Sequence, residues 1–285
     1  MPKLPAALAA ALSLTVPAVA AAQAPAAPAA QPARWHLDGS TDRCVLRRTL
    51  QGTPAAANFI LRSIPGSGRY DVILAAPGLP GDFRRTGRSL SLSFLPGGQA
   101  RSFSPARVDL PQGLGDGAAY GPLPAEFLQE LARASTLQVA DGEGRALGSW
   151  TVPLGARAAE AFAACEAEKL TDWGADPAGF EPGAIRARPQ GDPAGWLTIR
   201  DLGLGTATAS LAYTAVFRLV VDGDGRASDC TLIESAGNVD LSGACRVLRS
   251  RARFEPARDP AGNAIRSVAV QYLGWRMDVD FRWVE

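Results

Sequence analysis

Four short runs alternate between apolar and polar residues in the first part of the chain: Cys44–Leu50, Asn58–Ile64, Tyr70–Ala75 and Ser89–Leu95, with Gly, Pro or Ser turns between them. A period of two puts one set of side chains on a common face, so each run predicts a half-buried strand. Leu90, Leu92 and Phe94 share such a face. The period then lengthens. Phe127, Leu128 and Leu131 follow Pro124 at helical spacing, which predicts a helix opened by that proline. Thr136–Ala140 and Ala146–Val152 flank Asp141-Gly142-Glu143-Gly144 and predict a hairpin. A last helix is expected from about Ala156 to Trp173, with Ala158, Phe162, Cys165 and the Lys169 stem inward.

The pattern lapses over residues 175–195, where prolines and glycines recur without periodicity, and this predicts a linker. It resumes in Ala215–Val221, with Phe217, Leu219 and Val221 on one face. Asp222-Gly223-Asp224-Gly225 supplies the positive-φ positions of a tight turn, and Arg226–Glu234 returns with Cys230 and Leu232 on one face. Ser235-Ala236-Gly237-Asn238 is expected to break the strand. A helix from about Asp240 to Arg251 carries Leu241, Ala244, Cys245 and Leu248 as one stripe. After a turn at Asp259–Asn263, Ile265–Tyr272 alternates as a third strand. The predicted order is ββαβ, with the helix across a small antiparallel sheet. The fold class is therefore α+β: a mostly-β domain with two helices over 35–174, and a ββαβ domain over 196–285.

The N-terminus is apolar without alternation. Lys3 is the only charge before Arg34, Leu4–Ala22 is rich in alanine, and small residues fill Ala20–Ala24 apart from Gln23. That order predicts a secretory signal peptide over 1–23. A membrane span wants about 20 strongly apolar residues, and this stretch holds Pro5 and Pro17. Residues 24–34, nearly all Ala, Pro and Gln, predict a short extended tether. The remaining roughly 250 residues suit two domains.

Export gives the four cysteines a meaning. An even count in an exported chain argues for disulfides. Cys44 and Cys165 fall in the first domain, Cys230 and Cys245 in the second, so each domain is expected to hold one bond. Charge is balanced, with 29 Lys plus Arg against 28 Asp plus Glu, which leaves no electrostatic footprint for nucleic acid or anionic lipid.

The C-terminal residues Val216-Phe217-Arg218-Leu219-Val220-Val221-Asp222, Gly225-Arg226, Asp229-Cys230, Glu234-Ser235-Ala236-Gly237, Asp240-Leu241, Ala244-Cys245 and Arg251-Ala252-Arg253-Phe254-Glu255-Pro256-Ala257 carry a pattern of their own, completed by Asp259 and Gly262. It resembles the C-terminal domain of the TonB family over about 85 residues, and the two cysteines resemble those of periplasmic members with a disulfide here. The resemblance implies a TonB-like ββαβ fold, a periplasmic location and a role in TonB-dependent transmembrane transport. It further implies β-augmentation, in which an outer-membrane transporter's TonB box adds a strand to the sheet. The receiving strand would be Arg266, Ser267, Val268, Ala269, Val270, Gln271 and Tyr272. A bare edge of this kind equally suits a homodimer.

The chain departs from a full energy transducer in two respects. Such a protein keeps an N-terminal anchor and a long Pro-rich spacer, whereas here the leader reads as cleavable and the tether is short. Retention of the leader would instead anchor the chain in the inner membrane, facing the periplasm. The Asp-Tyr-Pro segment common before the first strand is replaced by Asp201-Leu202-Gly203. A second reading follows: an envelope structural or regulatory protein that keeps the fold without energy transduction.

Candidate chemistry is sparse. The single histidine, His36, stands at the start of the mature domain. Asp222-Gly223-Asp224 begins like a calcium loop, but Arg226 and Ile233 occupy positions that require ligands. Gly203-Leu204-Gly205 lacks the third glycine of a dinucleotide loop. Arg246, Arg249 and Arg253 read as a solvated helix face, and Tyr272, Trp275, Phe281 and Trp283 as core. No catalytic residue, cofactor or metal is expected, and the partner is expected to be a protein of the cell envelope.

Overall fold

Two sheets share one apolar interior in the first lobe of the computed structural model. It describes residues 34–39, 41–77, 79, 89–103, 106–109, 116–153, 155–202, 211–236 and 240–277. The expected signal peptide, the tether apart from Arg34, and Phe281 and Trp283 lie outside these residues.

The first sheet comprises β1 (His36–Asp38), β2 (Cys44–Leu50), β4 (Ala57–Ser63), β5 (Arg69–Ala75), β8 (Ala106–Asp109) and β9 (Asp116–Pro124). The second comprises β3 (Gly52–Thr53), β6 (Leu90–Leu95), β7 (Arg101–Phe103), β10 (Thr136–Asp141) and β11 (Ala146–Thr151). Their spatial orders are β1-β2-β4-β5-β9-β8 and β3-β11-β10-β6-β7, with every pairing antiparallel. In β4 burial alternates along the strand, so Ala57, Phe59, Leu61 and Ser63 face inward. Phe59 meets Phe94 of β6 at 6.4 Å between ring centroids, and Phe94 meets Phe127 at 4.8 Å, so aromatic contacts join the sheets to α1 (Glu126–Arg133).

Pro124 closes β9 and does not open α1, because the chain needs one further residue to turn into the helix. The long helix α2 (Gly155–Asp172) buries Ala158, Phe162 and Cys165 as expected. Leu170 is the inward residue of its last turn, while Lys169 stays half-buried. Cys165 is bonded to Cys44 on β2, across 121 residues of sequence, and this fastens the helix to the sheet.

Residues 175–195 are not a loose connection. Asp176 caps a short turn by accepting from the Ala178 N–H at 3.0 Å. The strand β12 (Arg188–Pro189) pairs with β15 (Phe254–Glu255), and Ile185 exchanges two backbone hydrogen bonds with Arg258. These partners lie far ahead in sequence, so periodicity within the segment could not reveal them.

The second lobe has the order β13 (Leu211–Val221), β14 (Ala227–Ala236), α3 (Ala244–Arg251), the short pair β16 (Ala257–Arg258) and β17 (Ala264–Ile265), then β18 (Ser267–Met277). The sheet order is β14-β13-β18. Asp222–Gly225 forms the expected turn: the Asp222 N–H donates to the Arg226 carbonyl, and Gly225 has φ +79°. α3 starts later than its pattern suggests, because the Asp240 carboxylate holds the Ser242 N–H in a turn ahead of it. Phe217, Leu219 and Val221 bury one face of the sheet against Leu241, Ala244 and Leu248. Phe254 closes this core, its ring 5.1 Å from that of Trp196. Cys230 and Cys245 are bonded across 15 residues, tying α3 to β14.

Candidate functional site

The other face of this sheet meets the first lobe. Val216, Val220 and Val270 are buried there, and Val216 and Val270 pack on Ile64 at the turn between β4 and β5. The Arg218 guanidinium, from the same face, lies 4.7 Å above the Trp173 ring and 3.7 Å from Asp42. Arg43 forms an ion pair with Glu234 of β14. Arg69 stands 4.7 Å above the ring of Tyr272.

Hydrogen-bond alternation orients the expected receiving strand. The Asp222 N–H points across the hairpin, so the even-numbered residues of β13 face β14 and the odd-numbered ones face β18. The pairing of Leu219 with Ala269 and of Phe217 with Gln271 then turns Ser267, Ala269 and Gln271 toward β13. The backbone groups of Val268, Val270 and Tyr272 point outward, and β18 pairs with no second strand among the described residues. Arg266, just before the strand, uses its carbonyl to accept from the Asp176 N–H at 2.9 Å.

A groove of about 210 Å³ runs beside Arg266–Gln271. Leu170, Phe180 and Ile185 form apolar walls, and Arg186 and Arg266 stand within it. Phe180 and Ile185 are 37% and 51% exposed, so the groove presents apolar surface to solvent. The buried Ser267 hydroxyl lines this groove and has no hydrogen-bond partner. A second cavity of about 190 Å³ is lined by Ile64, Arg43, Arg69, Asp71, Glu234 and Tyr272. Burial pushes the Tyr272 phenol above its ordinary pKa, and Ser67 hydrogen-bonds it.

Beneath the turn, the Ser63 hydroxyl donates to Glu166 at 2.7 Å and the Tyr70 phenol donates at 3.2 Å. Burial raises the Glu166 pKa, and the two hydrogen bonds only partly offset it. Ser63 is 3% exposed and Tyr70 is buried, while Glu166 is half-buried, so these hydrogen bonds lie largely out of solvent below the turn that carries Ile64.

Sequence reasoning brought the edge strand and both disulfides into view but missed the second face of the sheet. Its signal was the unbroken apolar run Leu219-Val220-Val221, which marks a strand covered on both sides. Among the described residues no cluster of His, Cys, Asp and Glu could hold a metal ion, and no helix is long and apolar enough to cross a membrane. Comparison with protein-family models, curated proteins and solved structures found no match.

Proposed function

We propose that this chain is an exported, periplasmic interaction protein of TonB type whose last strand accepts an extended segment of another envelope protein. The observation that carries the reading is the outward row of backbone groups at Val268, Val270 and Tyr272, unpaired by any strand among the described residues and bordered by a groove. An incoming strand satisfies those groups with main-chain hydrogen bonds, while Phe180, Ile185 and the flanking arginines read its side chains. The TonB-like motifs at 216–222 and 251–257 supply the partner class, a TonB-box segment of an outer-membrane transporter, and with it a role in TonB-dependent transport. The leader at 1–23 supplies the compartment.

The test uses the full chain and synthetic TonB-box peptides. Retention of a peptide is expected, with loss of retention in Val268→Pro or Val270→Pro. Both N–H groups point outward, so proline removes no bond of the existing sheet. No retention of any such peptide would refute the transporter assignment.

A further inference from the structure

We infer that the first lobe is a releasable cover on the receiving edge, closing it through the turn Ile64–Arg69. This rests on the strand-addition reading above. Each outward-facing residue of the edge is met by the same chain. The Arg266 carbonyl is held by Asp176, the Val270 side chain packs on Ile64, and Tyr272 lies between Ser67 and Arg69. Gly66 stands against Val268: a Cβ built on it would lie 3.6 Å from the Val268 carbonyl oxygen. An added strand runs about 4.8 Å from its neighbour, so the turn occupies the place where the end of that strand would lie.

The contact is built to let go. Each lobe has its own buried core, whereas among the described residues the cluster between them is small: Ile64, Val216 and Val270, with Val220 buried on the same face and Trp173 and Ile233 at the margin. Charged and polar contacts surround it: Arg43 with Glu234, Asp42 with Arg218, Arg218 over Trp173, Arg69 over Tyr272, and hydrogen bonds from the Asp176 N–H to the Arg266 carbonyl and between Ser67 and Tyr272. Small, polar contacts between lobes permit relative motion, and their charges are screened by salt. A closed population lowers the apparent affinity for a strand in proportion to the fraction that is open. Displacing the cover exposes Val268 and Val270 without disturbing the α3 face of the sheet.

Charge reversal at Arg43 and Glu234 tests this in the full chain. Arg43→Glu and Glu234→Arg each set like charges together, and the double variant restores an opposite pair. Each single variant is expected to speed amide exchange at Val268 and Val270 and to tighten binding of a fluorescent TonB-box peptide on the order of fivefold, the double variant reverting both. Faster exchange with unchanged affinity overturns the inference, since the turn then only shields the edge; strand addition would survive. Faster exchange with no peptide bound by any variant refutes strand addition, and the cover with it. If neither reversal changes exchange, Ile64→Ser decides, and unchanged exchange there overturns the inference.

Discussion

Deleting the two disulfides separately should cost different amounts, and the difference follows from where they sit. The Cys44–Cys165 bond spans 121 residues and Cys230–Cys245 spans 15. In the chain-entropy account these loops correspond to about 5 and about 3 kcal/mol of lost unfolded-state freedom. Paired alanine substitution also removes sulfur from the interior. That matters more for Cys44, which is fully buried, than for Cys230 and Cys245, and adds on the order of 1 kcal/mol. The first pair of substitutions should therefore exceed the second by about 2 to 3 kcal/mol. Urea unfolding reports this through tryptophan fluorescence, with Trp150 buried in the first lobe and Trp196 in the second. Equal losses, or a larger loss from the shorter loop, would refute the entropic reasoning and place the stabilisation in local packing.

Other perturbations should be equally readable. Gly225→Ala should destabilise the second lobe by about 2 kcal/mol or more, because φ is +79° and a Cβ would lie 2.1 Å from the Phe254 carbonyl oxygen; an unchanged urea midpoint would contradict this. Phe254→Ala should cost about 3–5 kcal/mol in the same assay, since the ring is buried against Trp196. Glu166 has a folded pKa raised above its ordinary 4.5, so the stability it confers is full below that value and is lost as pH rises through the folded pKa. Glu166→Gln should remove that decline, and identical pH profiles for the two proteins would contradict the assignment.

Local chemistry explains what the sequence made legible. β2 was expected at Cys44–Leu50 and is found there, because its apolar positions alternate without interruption. The Asp222–Gly225 turn declares itself through its glycines, and α2 through its long run of helix formers. β9 was missed: Gly117, Ala118, Ala119 and Gly121 carry too little side chain to alternate, and the strand forms because β5 and β8 supply its partners. Residues 175–195 lack periodicity for a related reason, since their hydrogen-bond partners lie at 253–266. The candidate site was half legible. Periodicity located its edge strand, but nothing near Val268 in sequence foretells that Ile64, Gly66 and Arg69 fold against it. Such contacts depend on how two lobes meet, and Arg218 gave only a weak hint as a charge within an apolar strand.

Amide exchange on the full chain, with and without a TonB-box peptide, tests the central claim most directly. Strand addition predicts new protection that alternates along β18, appearing at Val268, Val270 and Tyr272. Ser267, Ala269 and Gln271, already bonded to β13, should change little. Protection spread evenly over both sets, or confined to the face beside α3, would contradict pairing at this edge.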